Sequence, residues 1–144
     1  MGRNSRHSNA LILEAIDDVY SLAYWMTGNE ATAGMLVSQT YSAVNEHASL
    51  VSLYKAFRES YLKAFGQRPV VSEEEAAQIT DSDVARVVMV LPTDFKMALL
   101  LADIAGLSHS DIAKVVGQSV EAVREWLHWG RKLITKELAE QWQN

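Results

Sequence analysis

The sequence lacks cysteine altogether among its 144 residues, which excludes disulfides and thiolate metal ligands. This absence favours a reducing compartment, and we expect the protein in the cytoplasm. No apolar run approaches the roughly 18 residues that a membrane-spanning helix needs. No signal-type apolar segment follows the basic N-terminus either. We therefore expect no membrane partner.

Basic residues are also in short supply. The chain has 13 Lys and Arg against 18 Asp and Glu, a formal net charge of −5. Proteins that bind nucleic acid through bulk electrostatics are usually basic. Residues 106–144 hold five basic and five acidic residues, so the whole deficit lies in the rest of the chain. Any DNA contact must therefore be local, and we expect it to be weak.

Motifs that perform chemistry are missing as well. The histidines do not have the spacing of metal ligands; they are His7, His47, His109 and His128. The three glutamates at 73–75 are interpreted as a solvated charged run. No phosphate-cradling glycine loop, nucleophile elbow or pair of catalytic carboxylates occurs. We therefore predict that the protein is not an enzyme and has no catalytic residue, metal site, cofactor or small-molecule substrate.

Proline is rare, and apolar residues recur at helical spacing almost throughout. The spacing predicts three helices before Gly66. The first begins after Ser8 or Asn9 and ends at Gly28, the second covers about 31–44, and the third follows Ser49. Three amphipathic helices with short connections form a compact bundle, which we place at residues 8–66.

The segment 67–81 interrupts this pattern. It contains Pro69, the three glutamates and few large apolar residues, so we interpret it as an exposed linker. Four further helices are predicted over residues 82–140, with Thr93, Ser108 and Ser119 placed as caps. The predicted fold class is all-α, with two small helical domains joined by the linker.

The last two predicted helices have the spacing of a helix-turn-helix. This motif needs a small residue where its helices cross, a glycine in the turn and apolar residues beneath the second helix. Ala113, Gly117, Val123 and Trp126 fall at those offsets. Helical hairpins with a glycine turn are common, so the spacing alone does not identify a DNA-binding protein.

The residues around this motif resemble region four of the extracytoplasmic-function sigma factors. The shared features are Leu91-Pro92, the leucines at 99–101, the Gly-Leu-Ser at 106–108, Val120 and Val123, Leu127-His128, and Arg131-Lys132. An upstream stretch resembles region two of the same family, through Leu22-Ala23, Thr27-Gly28, Ala33, Leu36-Val37 and Thr40-Tyr41. The resemblance covers most of residues 11–138.

The resemblance implies a sigma factor that binds RNA polymerase core and promoter DNA to start transcription. It places the exposed face of the helix after Ser119 on DNA, where arginine can bind guanine and lysine can neutralise phosphates. The predicted DNA-binding residues are Ser119, Arg124, His128, Arg131 and Lys132. It places one face of the second helix on the polymerase. The residues predicted to bind polymerase or another protein partner are Met35, Ser38, Gln39, Ser42 and Trp129.

The third helix stands where this family carries a basic and aromatic helix that melts promoter DNA. It has the cations Lys55, Arg58 and Lys63, but its tyrosines Tyr54 and Tyr61 lie on the apolar stripe. Flipped bases need aromatic faces beside a cationic groove. We expect the two tyrosines to pack in the core.

Departures from the family keep a second hypothesis open. The acids with which region two grips polymerase are absent from the matching positions, which hold Gly34, Met35, Ser38 and Gln39. Glu121 and Glu125 would repel phosphates, and an exposed Trp129 is more typical of a protein contact than of a DNA contact. The alternative is a sigma-factor mimic that binds an anti-sigma factor, similar to the sigma-like half of certain response regulators.

Overall fold

The computed structural model describes residues 12–68 and 71–143, with side chains described up to residue 136. These residues form helices and no strand, which confirms the all-α prediction. After a helical turn at 12–14, the helices are α1 (Ile16–Thr27), α2 (Glu30–Ala43), α3 (Leu50–Phe65), α4 (Glu73–Ile79), α5 (Asp83–Met89), α6 (Thr93–Asp103), α7 (His109–Val116) and α8 (Val120–Gln143). None of the helices in the described ranges is both long and apolar enough to cross a bilayer.

Short polar side chains begin most of these helices. Each accepts the backbone N–H of the third residue that follows it; the caps are Asn29, Ser49, Ser72, Ser82, Ser108 and Ser119. Gly28 and Gly117 end α1 and α7 in the left-handed conformation, with φ of 68° and 69°. The predicted start of the first helix, at Ser8 or Asn9, lies outside the described residues.

Thr93 does not act as the cap that the sequence predicts. Pro92 occupies the N-cap position of α6, and Thr93 is its first helical residue. The Thr93 side chain is fully buried, and its hydroxyl donates to the carbonyl of Gly66 at 3.5 Å. The prediction was wrong because a distant loop, and not the helix end, takes this hydroxyl.

The segment 67–81 differs from the predicted exposed linker in forming a helix. Its glutamates are exposed in the first turn of α4, where negative charge favours the helix N-terminus. Val71 and Ala76, however, are buried in a small cluster with Met89, against which Trp25 packs. Val71 and Ala76 therefore anchor this segment to α1 and α5.

One buried apolar cluster draws on both halves of the chain. The helix α1 packs on α2, α5 and α6, and α3 packs on α2 and α7. The cluster includes Leu22 and Phe57 from the first half and Met97, Ile112 and Leu127 from the second. The halves therefore form one packed body here. Their division into domains at 8–66 and 82–140 stays a prediction.

Candidate nucleic-acid and partner interface

The helix-turn-helix consists of α7, a turn at Gly117 and α8, the recognition helix. Ala113 and Val123 are buried at the crossing, where their small size lets the two helices approach. Trp126 is half-buried, with its ring 6.2 Å from the ring of Phe95 on α6. These positions confirm the motif and the predicted core role of Trp126.

Four of the five residues predicted to bind DNA lie along one groove. Arg124, His128, Arg131 and Lys132 are exposed on the recognition helix and line a groove of about 680 Å³. The fifth, Ser119, is exposed at the start of the helix, where its hydroxyl accepts the N–H of Ala122 at 3.1 Å. We call the groove the basic groove; DNA binding by its residues stays a prediction.

The basic groove also contains residues that the sequence reasoning missed. Lys136 extends the cationic side, and His109 reaches the groove from the first turn of α7. Arg124, His128, Lys132 and Lys136 follow one another at steps of four residues, so they share one helix face. That four-residue repeat in the sequence already indicates that Lys136 shares the face of the predicted DNA-binding residues. No comparable pattern pointed to His109, which reaches the groove only through the fold.

An apolar strip runs beside these cations. Trp129 is 57% exposed and Leu133 is 40% exposed, although both have large apolar side chains. The ammonium of Lys132 lies 5.2 Å from the centroid of the Trp129 ring, within the range of a cation–π interaction. The centroid of the His128 ring lies 5.9 Å from that of the Trp129 ring, with an angle of 70° between the two ring planes. The basic groove therefore combines positive charge with an exposed aromatic anchor.

Negative charge limits the reach of this positive surface. Glu121 and Glu125 are exposed on the first turns of the recognition helix, on either side of Arg124 in the sequence. At equal distance, each of these carboxylates repels a phosphate as strongly as the guanidinium of Arg124 attracts it. The net positive character therefore lies toward the C-terminal part of the groove, around Arg131 and Lys132.

The residues predicted to bind polymerase share a second exposed face. Met35, Ser38, Gln39 and Ser42 are all exposed on α2 at spacings of three and four residues. Met35 is 44% exposed and carries the only large apolar group of the four. This face, which we call the α2 face, has no charged side chain. Contacts there would have to be apolar contacts and hydrogen bonds.

The cationic helix α3 is only partly available to a ligand. Tyr54 and Tyr61 are buried, which confirms that both pack in the core. Arg58 donates two hydrogen bonds to Asp94 on α6, from Nε at 2.9 Å and from Nη2 at 3.0 Å. Lys55 and Lys63 remain exposed.

Within the described ranges, no three metal-ligating side chains come together.

Comparison with known proteins supports the likeness to sigma factors that the sequence motifs indicate. Residues 82–134 match the family described as sigma-70, region 4, which covers α5 to α7 and the part of α8 that lines most of the basic groove. The ECF RNA polymerase sigma factor SigE of Mycolicibacterium smegmatis is 25% identical over 156 aligned residues, covering 90% of this chain. The chain spans 61% of the length of that relative. With its helix-turn-helix at the matched position, the chain is similar to the extracytoplasmic-function sigma factors.

Proposed function

We propose that this protein directs RNA polymerase to promoters as a sigma factor in the cytoplasm. The observation that carries the proposal is the basic groove, which gathers Arg124, His128, Arg131 and Lys132 on the recognition helix of a region-4 motif. Sigma factors are not enzymes, in agreement with the prediction from the sequence. Their two tasks, binding polymerase and binding DNA, fall here to two separate surfaces.

On the DNA side, the recognition helix would enter the major groove. Arg124 would bind a guanine edge, while Arg131 and Lys132 would neutralise phosphates on the flank. Lys136 adds a further cation in the same line. With Glu121 and Glu125 close by, we expect the isolated protein to bind promoter DNA weakly.

On the polymerase side, the α2 face would supply the contact. Its residues Met35, Ser38, Gln39 and Ser42 are exposed together and uncharged. We infer that Met35 fills an apolar pocket and that Gln39 supplies hydrogen bonds. This contact would do without the acidic side chains that the family resemblance leads one to expect.

A specific observation favours a second candidate function, a mimic that binds an anti-sigma factor. Trp129 is 57% exposed beside Leu133, and large exposed aromatic residues are typical anchors of protein interfaces. The exposed Glu121 and Glu125 weaken the same helix as a DNA reader. In this reading the basic groove receives a protein partner instead of DNA.

A binding assay with purified RNA polymerase core tests the proposal. We expect the wild-type chain to bind core, and Gln39→Ala to bind at least severalfold more weakly because a buried polar contact is lost. Lys114→Gln, which changes an exposed residue on α7, serves as the control and should bind like the wild type. A folded wild-type chain that does not bind core would refute the sigma-factor proposal and leave the mimic.

A further inference from the structure

Lys96 on α6 is a charged residue with no exposed surface. Its ammonium donates three hydrogen bonds, to the backbone carbonyls of Met89 at 2.7 Å, Met26 at 3.4 Å and Trp25 at 3.5 Å. An ammonium has three donors, so every donor has an acceptor. A buried charge is costly without such partners. The surrounding helices therefore have to keep this arrangement for the lysine to stay inside.

The three acceptors belong to the ends of two helices. Trp25 and Met26 lie in the last turn of α1, and Met89 is the last residue of α5. Carbonyls in a last helical turn lack partners within the helix and carry partial negative charge. Lys96 thus places a cation between two converging helix C-termini. One of these helices comes from the first half of the chain and one from the second.

Asp94, two residues earlier on α6, makes a second contact between the halves. Its carboxylate accepts two hydrogen bonds from Arg58 on α3 and a third from Gln67 at 3.2 Å. The side chains of Arg58 and Asp94 are only 22% and 15% exposed. A bidentate pair shielded from water is stronger than an ordinary surface salt bridge.

Thr93 adds a third contact at the same end of α6. Its backbone N–H donates to the carbonyl of Gln67 at 3.3 Å, and its hydroxyl donates to that of Gly66 at 3.5 Å. The polar groups of Thr93, Asp94 and Lys96 are therefore all directed at other elements of the fold. These three residues of α6 hold α1, α3 and α5 in one arrangement.

We propose that the start of α6, with Thr93, Asp94 and Lys96, is a latch that holds the protein in a closed, autoinhibited state. In the closed state Arg58 binds Asp94 and is withheld from nucleic acid, and α7 covers the side of α3 against which it packs. Release of the latch frees Arg58 and lets the helix-turn-helix move away from α1 to α3. The inhibition of DNA binding rests on the proposed function, whereas the closed conformation held by the latch does not depend on it.

Distance measurement by single-molecule fluorescence transfer tests the latch. The chain has no cysteine, so Ala31→Cys on α2 and Gln118→Cys beside α7, both exposed positions, give two unique dye sites. We expect one high-transfer population for the otherwise unchanged protein. Asp94→Asn and Lys96→Met should raise the low-transfer fraction at least about tenfold. The first leaves the partly buried Arg58 without its counter-charge, and the second leaves three carbonyls without their donor.

The matched control is Asp103→Asn, which removes the same charge from an exposed position on the same helix. It should leave the transfer efficiency unchanged. Circular dichroism establishes that each variant keeps its helices, and Asp94→Asn carries the test if Lys96→Met does not fold. Folded Asp94→Asn with the transfer efficiency of the control would refute the latch.

The autoinhibitory role is tested with a short mixed-sequence DNA duplex at low salt. Asp94→Asn should bind it severalfold more tightly than Asp103→Asn, because both lose one negative charge but only the first frees Arg58. Adding Arg58→Gln to Asp94→Asn should abolish this gain. Equal affinities of the two single variants would overturn the autoinhibition. Failure of the wild type to bind polymerase core would instead refute the proposed function. The latch would still be judged by the fluorescence result alone.

Discussion

At the scale of single residues, the environment decides what a side chain does. Lys96 and Lys132 are both lysines on amphipathic helices, yet one is fully buried and the other is exposed above a tryptophan ring. Lys96 meets three helix-end carbonyls, so its charge serves the fold. Lys132 faces the basic groove, so its charge is available to a ligand.

The buried ammonium has a pH signature. Burial lowers the pKa of Lys96 from 10.5 to about 8, whereas the unfolded chain keeps the ordinary value. Between pH 8 and pH 10.5 the unfolded state binds more protons than the folded state. The contribution of Lys96 to the free energy of unfolding therefore rises with pH in this range. Below pH 8 both states are protonated, and this dependence vanishes.

Urea unfolding of the wild type and of Lys96→Met at pH 7 and pH 10 measures the effect. The difference in unfolding free energy between the two proteins should shift in favour of the wild type by about 2 kcal/mol from the lower to the higher pH. Other titrating groups act in both proteins and cancel in that difference. A difference that does not change with pH would contradict the lowered pKa of Lys96.

At the scale of elements, the recognition helix carries two opposing features. Its C-terminal part is cationic and its first turns carry Glu121 and Glu125. Its position is set by Gly130, which is buried against Leu99; a Cβ at Gly130 would collide with that leucine. The helix therefore lies close on α6, and the opposite side holds the exposed cations.

The salt dependence of DNA binding counts the phosphates that this helix contacts. The logarithm of the affinity falls by roughly 0.9 per contact with the logarithm of salt concentration. Arg124, Arg131 and Lys132 should give a slope of about two to three, well below that of strong binders with about six to ten contacts. Replacing Glu121 with Gln and Glu125 with Lys should raise the affinity and steepen the slope. Fluorescence anisotropy of a labelled duplex measures both.

Trp129→Arg separates the two candidate functions in the same assay. A gain in DNA affinity places position 129 toward DNA and supports the sigma factor. Unchanged DNA binding together with loss of a protein partner supports the mimic. A wild-type slope near zero, without detectable duplex binding at low salt, would rule out promoter recognition by this helix.

At the scale of the whole molecule, two halves share one core. Leu22 and Phe57 belong to the same buried cluster as Met97 and Leu127. The connecting segment 67–81 has exposed glutamates and a short helix anchored by Val71 and Ala76. The chain therefore combines a connection that offers few buried contacts with an interface that offers many.

Limited proteolysis tests whether the connecting segment is cleaved first while the two halves stay together. We expect the first cleavage within residues 67–82, since the described loops there have fewer buried contacts than the helices on either side. The two fragments of the wild type should stay together on size-exclusion chromatography because they share a core. With Asp94→Asn they should separate more readily. Initial cleavage inside α3 or α6 would contradict both the two-unit organisation and the connecting role of this segment.

The sequence by itself determined the local structure and the motif. The serine caps, the glycines at 28 and 117 and the helical apolar spacing act over three or four residues, so they can be read without the fold. The same is true of the cationic face at Arg124, His128 and Lys132, because helix geometry alone aligns residues four apart. The family resemblance rests instead on particular residues, such as Leu91-Pro92, the Gly-Leu-Ser at 106–108 and Leu127-His128.

Only the tertiary structure decided what the polar residues of α6 do. Arg58 and Asp94 are 36 positions apart, and Lys96 bonds to carbonyls 70 and 71 positions away. Sequence spacing holds no information about such pairs, because they depend on how α1, α3 and α5 converge on α6. Thr93 shows the same limit: it has the type and place of a helix cap, yet a carbonyl 27 positions away takes its hydroxyl. Local patterns fix helices, whereas the packing of several helices fixes which buried polar groups meet.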